Sequence, residues 1–140
     1  MIAVTLAHAG CTDYLTPEVG PPQARRCDDV DSEPAQLVSF ARDIMPILER
    51  DKGGCINCHT PGAATPIGFE PGELDVSTVR SLRERDAIVV PGRPCSSTLV
   101  DKLGPAPALG ARMPQNGPPF LNDTERQLVS DWIFEGAADN

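Results

Sequence analysis

The chain has 140 residues, 12 Lys and Arg against 20 Asp and Glu, and a formal net charge of −8 at pH 7, a balance that argues against nucleic acid as a partner, because phosphates need basic contacts. Its length allows one domain plus a tail. With 4% aromatics, 15 Pro and 12 Gly, such a domain would build only a thin core from its own side chains, so a bound apolar body is expected to complete the interior. The acidity suits a basic or neutral protein partner.

Residues 1–10 are mostly small and apolar and lead into His8-Ala9-Gly10-Cys11, which resembles the cleavage box of a bacterial lipoprotein signal. Small residues before a Cys let a signal peptidase seat the chain, and Cys11 then becomes the lipidated first residue. The stretch has no positively charged start and its apolar run is short, so the expected signal segment is a truncated one. The competing reading is an ordinary N-terminus with an incidental Cys11. No stretch approaches the length of a transmembrane helix. From 11 to 36 the chain carries Pro17, Pro21, Pro22 and Pro34 and a charged patch from Arg25 to Glu33, a composition that predicts a flexible linker or tether. The domain is then expected over 37–140.

Phe40, Ile44, Ile47 and Leu48 recur at helical spacing. Asp43 is the expected N-cap, which places Pro46 in the first turn, where no intrahelical donor is needed, and the helix is predicted from about Ile44 to Asp51. Gly53-Gly54 ends it. Next comes Cys55-Ile56-Asn57-Cys58-His59, the C-x-x-C-H attachment pattern of haem c. Two thiols three positions apart add to the two vinyl groups on one porphyrin edge, and the following imidazole falls beneath the iron as an axial ligand. Shuffling this composition yields the pattern on the order of once in several hundred chains, which makes chance a poor explanation.

Beyond the motif, residues 62–72 are rich in Gly, Pro and Ala and read as a loop. Leu74-Asp75-Val76 is a candidate extended piece. A helix is expected from about Ser77 to Arg85 with Val79 and Leu82 on one face, and Ser96 or Ser97 is expected to cap another through Leu99, Val100 and Leu103. The stretch from Gly104 to Pro119 has little to hold it as helix or strand, and a long irregular loop inside a small domain is usually functional or disordered. Met113 lies within it, with Pro114 restricting its backbone. A thioether there is the candidate sixth ligand of the iron, ahead of Met45, His8, Lys52 and Lys102; the competing reading is a gap-filling Met. Asn122 with Glu125 is a capping-box pair, and Leu128, Val129, Trp132 and Ile133 form the apolar face of a last helix that Gly136 stops. Trp132 is a candidate contact for the first helix or the haem edge.

Five cysteines, of which the haem motif takes two, leave Cys11, Cys27 and Cys95. Leftover cysteines together with covalent haem attachment point outside the cytosol, to a periplasm or cell surface. The simplest division gives Cys11 to a lipid anchor and pairs Cys27 with Cys95, although spacing leaves the connectivity open.

From about Phe40 to Ala137 the chain resembles c-type cytochrome domains related to class I cytochromes c, and in particular the planctomycete-type group. The pieces that carry the resemblance are Asp43-Ile44-Met45-Pro46-Ile47-Leu48 before the haem motif, Val90-Pro91-Gly92-Arg93-Pro94 with Ser97-Thr98-Leu99-Val100, Arg112-Met113-Pro114, and Trp132-Ile133-Phe134-Glu135-Gly136-Ala137. The resemblance implies an all-α haem domain of about four short helices with long loops. It implies one haem c bound through Cys55 and Cys58, His59 and Met113 as axial ligands, and one-electron transfer to a redox partner protein rather than enzyme catalysis. Gln115 departs from the family pattern, where a second Pro is common, and Cys95 within the Pro-rich turn favours the disulfide. Arg93 and Arg112 are candidate propionate contacts. Two alternatives stand beside this reading. One is a haem enzyme or sensor with an open sixth position, suited to peroxide reduction or gas binding. The other is a structural zinc site at Cys55, Cys58 and His59, which lacks an evident fourth ligand.

Overall fold

Apolar clusters interrupted by Gly and Pro have room only for short helices. The computed structural model describes residues 27–61, 74–85 and 87–140. Among them are a π-helical turn at Phe40–Ile44, α1 (Met45–Glu49), α2 (Val79–Glu84), a 3-10 turn at Pro94–Ser96, α3 (Thr98–Leu103) and α4 (Asp123–Phe134), with no strand. The all-α expectation of about four short helices joined by long loops holds at that level, and the candidate extended piece at 74–76 is not a strand. The candidate signal segment 1–10, Cys11 and the expected loop 62–72 after the C-x-x-C-H motif lie outside the described residues.

Helical winding begins earlier than the spacing predicts. Ser39 is the cap in place of Asp43: its Oγ accepts from the Arg42 N–H at 3.2 Å, and Asp43 reaches back to accept from the Ser39 N–H at 2.8 Å. Pro46 supplies the reason, since it has no N–H and its ring collides with the carbonyl four residues back in an ordinary α-turn. The turn before it is therefore widened. Ile44 N–H reaches Ser39 O at 3.3 Å and Met45 N–H reaches Phe40 O, both five residues back. Pro46 then stands in the first turn of α1.

α4 is the element against which the π turn, the 3-10 turn and α3 all pack. Val129, Trp132 and Ile133 are fully buried. Trp132 meets Phe40 with ring centroids 5.3 Å apart, so the expected contact with the first helical segment is present. Both ends of α4 are closed by local chemistry. Asn122 Oδ1 accepts from the Glu125 N–H at 2.9 Å and Glu125 Oε2 accepts from the Asn122 N–H at 2.8 Å, the predicted capping box. At the other end Gly136, at φ +105, lets the chain leave the helix, and Ala137 and Gly136 donate to Trp132 O at 2.8 Å and Ile133 O at 3.1 Å, a Schellman closure. Asn122→Ala is expected to lower the unfolding free energy by about 1 kcal/mol, read by urea denaturation.

Residues 27–38 lie along the domain surface as a strap. Cys27 and Cys95 form a disulfide, with Cα atoms 5.5 Å apart and 68 positions between them in sequence, and Asp29 Oδ1 accepts from the Cys95 N–H at 2.8 Å. Asp131, a carboxylate only 3% exposed, accepts from the Ser32 N–H at 3.0 Å, the Ser32 hydroxyl at 2.5 Å and Gln127 Nε2 at 2.9 Å. Those three donors satisfy the hydrogen-bonding capacity that burial would otherwise leave unmet. Glu135 Oε2 accepts from the Val38 N–H at 2.8 Å, so α4 anchors the strap at two points and the described end of the predicted linker is pinned to the domain.

Candidate functional site

The cysteine motif is held against the end of α1. Leu48 O accepts from the Cys55 N–H at 2.7 Å and the Ile56 N–H at 3.3 Å, satisfying a carbonyl that the helix end would leave unpaired. The reversal is tight enough to need two glycines. A Cβ on Gly54 would stand 2.2 Å from Arg50 O, and one on Gly53, at φ +75, would stand 2.7 Å from Pro119 O. Cys55 O then accepts from the Cys58 N–H at 3.2 Å and the His59 N–H at 2.9 Å. Cys55 to His59 is thus one closed turn, and residues three apart on such a turn share a side. His59 O accepts from the Val76 N–H at 2.9 Å, which draws the segment before α2 alongside.

Cys55 and Cys58 are free thiols, each partly buried. Burial pushes the Cys55 thiol up to about 11, with the Arg50 charge working in the opposite direction, so it is protonated at neutral pH. Burial also lowers the pKa of His59 below its ordinary 6.5, which favours the neutral, ligating form of the ring. The sign of the linkage follows. An unfolded chain binds a proton at His59 more readily than the folded one, so this contribution to stability is complete above 6.5 and is lost as pH falls through the folded-state value. For the chain with no cofactor bound, the unfolding free energy is expected to fall as pH drops below 6.5, with a shallower slope in His59→Gln. Equal slopes in urea titrations of the two proteins would refute this.

Two distant segments line one cleft beside this turn. Gly54, Cys55, Cys58 and His59 come from the motif, and Met113, Pro114, Gln115 and Asn116 from the long loop. The cleft holds about 360 Å³ of space, counting the part that opens to solvent. Cys55, Ile56 and Met113 are partly buried and pack on the hydrophobic core. All four haem-site candidates, Cys55, Cys58, His59 and Met113, are therefore brought together. Met45 packs on the core from α1 and does not line the cleft.

The loop from Gly104 to Leu121 is ordered by side chains that the sequence reading valued for other roles. Lys102, a weak candidate ligand, donates from Nζ to Leu109 O at 2.6 Å and Ala111 O at 3.0 Å. Arg112, a candidate propionate contact, donates from Nε to Leu103 O at 3.2 Å and from Nη2 to Leu121 O at 3.3 Å, with its guanidinium 4.2 Å from the centroid of Phe120. Those carbonyls occupy it. Arg93 is exposed. Gln115 and Asn116 were not anticipated as cleft residues; their position directly after Met113-Pro114 was the available signal. Arg50 pairs with Glu125 at 2.9 Å, joining the end of α1 to the start of α4, while its Nε and Nη2 are buried without a partner.

Among the described residues no group of three or more His, Cys, Asp and Glu is placed to hold a metal ion, so the zinc alternative finds no ligand set there. Among the same residues no helix is long and apolar enough to cross a membrane. Comparison of the chain with protein-family models, with curated proteins and with solved structures found no match.

Proposed function

We propose that the chain carries one covalently bound haem c and moves single electrons to or from a redox partner protein. The observation that carries the reading is the convergence of Met113 with Cys55, Cys58 and His59 on one cleft. The donor set fits the group. Two free thiols on one closed turn would suit the two thioether bonds, and an imidazole beside them together with a thioether from another segment would suit ligation of the iron. His59 and Met113 would hold the iron, and Cys55 and Cys58 would hold the macrocycle. When bound, the haem supplies the one-electron couple. The chain's own residues fix ligation, exclude water and set the environment that tunes the potential. Cys55, Ile56 and Met113, packed on the core, provide the apolar side of that environment.

This reading keeps the class I cytochrome c-like, all-α haem domain as its frame, preceded by a tether. Haem attachment needs reduced thiols that then form thioethers, and the Cys27–Cys95 disulfide belongs in an oxidising compartment. A periplasmic or cell-surface location, with Cys11 as a lipid anchor, is part of the proposal.

The test is the absorption spectrum of the full chain matured in a bacterial periplasm, oxidised and reduced. A covalent low-spin haem with a weak near-infrared Met–iron band is expected. Protein without haem overturns the reading. A five-coordinate reduced haem that binds carbon monoxide rapidly replaces it with the open-site enzyme or sensor.

A further inference from the structure

Met113 does not hold itself in place. Its loop is attached to the last turn of α3, a turn whose carbonyls have no partners within the helix. Lys102 O accepts from the Met113 N–H at 2.8 Å, and Leu103 O accepts from Arg112 Nε at 3.2 Å. The side chains of the same turn grip the loop further back. Asp101 Oδ2 accepts from the Ala108 N–H at 2.8 Å, and Lys102 Nζ donates to Leu109 O at 2.6 Å and Ala111 O at 3.0 Å. Between those two carbonyls the backbone passes through Gly110 at φ +61, where a Cβ would stand 3.1 Å from Lys102 Nζ. The left-handed backbone there favours glycine, and an added Cβ would push the ammonium back by a few tenths of an ångström.

We infer that Lys102 is a positioning residue for Met113: its ammonium folds the 109–111 turn onto α3 while its own backbone carbonyl seats the Met113 N–H, with Asp101 and Arg112 holding the loop on either side. The inference rests on the proposed haem-ligand role of Met113 and adds the device that holds it. A cation at a helix C-terminus is in a favourable field, and two charge-assisted bonds to carbonyls are stronger than neutral ones. Residues 104–108 are Gly, Pro and Ala only, tethered through Asp101 Oδ2 on the Ala108 N–H. Nothing among them offers a comparable side-chain grip.

The experiment uses the full chain matured in a periplasm as wild type, Lys102→Met, Asp101→Ala and, as a distant surface control, Arg80→Met. Two readouts are taken. One is amide hydrogen exchange at Met113 and Ala108, with α4 amides such as Val129 reporting whether the fold is intact. The other is the near-infrared band together with the rate of carbon monoxide binding to the reduced protein. Lys102→Met, which keeps the stem and loses the donors, is expected to speed Met113 exchange by at least about tenfold with α4 protection unchanged. It is also expected to weaken the band and speed carbon monoxide binding by a similar factor. Arg80→Met matches wild type. If Lys102→Met loses α4 protection, Asp101→Ala carries the decision through the same readouts.

Wild-type exchange in both loop variants overturns the inference. So does faster exchange with an unchanged band and carbon monoxide rate, because the loop would then move without taking the sulfur with it. Protein that matures without haem defeats the proposed function, and the exchange measurement alone then decides whether Lys102 seats Met113.

Discussion

On the proposed haem reading, Met113→Ala is expected to abolish the near-infrared band of the oxidised protein and open the reduced iron to carbon monoxide, while Met45→Ala leaves both as in wild type. The contrast is informative because both residues are partly buried methionines on the same core, and only Met113 lines the cleft shared by Cys55, Cys58 and His59. A thioether favours ferrous over ferric iron, so its removal lowers the potential. On the scale of the roughly 0.8 V over which axial ligands move haem, a fall on the order of 0.1 V or more is expected, read by spectroelectrochemistry. An unchanged band in Met113→Ala would remove Met113 from the iron.

Trp132→Ala carries the largest expected cost in stability, about 3–5 kcal/mol, as for other buried aromatic truncations. Trp132 is fully buried, its ring stands 5.3 Å from Phe40, and its Nε1 donates to Ala138 O at 2.9 Å. The truncation thus opens a cavity between α4 and the π turn and leaves a carbonyl without its donor. Against the ~5–15 kcal/mol that holds a typical domain together, such a loss brings the chain near its threshold. The measurement is the urea midpoint of the full chain. Trp132→Phe, which keeps one ring and loses the donor and part of the indole volume, is expected to cost less than Trp132→Ala, about 1–3 kcal/mol, and a Trp132→Ala midpoint equal to that of Trp132→Phe would show that the remaining aromatic ring is not what joins the two segments.

How legible each feature was depends on how far apart its partners lie in the chain. The capping box at Asn122 and Glu125 was legible because both bonds join residues three apart. The start of the first helix was not. Asp43 has the chemistry of a cap, but the obstruction at Pro46 is relieved by a widened turn before it, which moves the cap to Ser39. Ser97 was misread for a related reason. It stands at the N-cap position of α3 without making the cap bond; its hydroxyl instead donates to Arg93 O at 3.1 Å and accepts from the Val90 N–H at 2.9 Å. Closing the Pro-rich turn competes with capping for one buried hydroxyl, and sequence spacing does not say which wins.

By itself the sequence determined what lies within one or two turns of chain: the C-x-x-C-H grouping, the two ends of α4, and an all-α character written in short apolar clusters between Gly and Pro. Chain connectivity enforces those features, because neighbours three or four apart meet as soon as a turn forms. The sequence proposed the Cys27–Cys95 pair and set Met113 opposite His59 without fixing either; the tertiary structure closes that disulfide and puts Met113 on the cleft with His59, and it alone decided that Lys102 turns its charge to loop carbonyls. Each of these joins groups that no local rule brings together. They depend on how α3 packs against α4, and on where the Gly- and Pro-rich loop must run to satisfy the carbonyls at the end of α3.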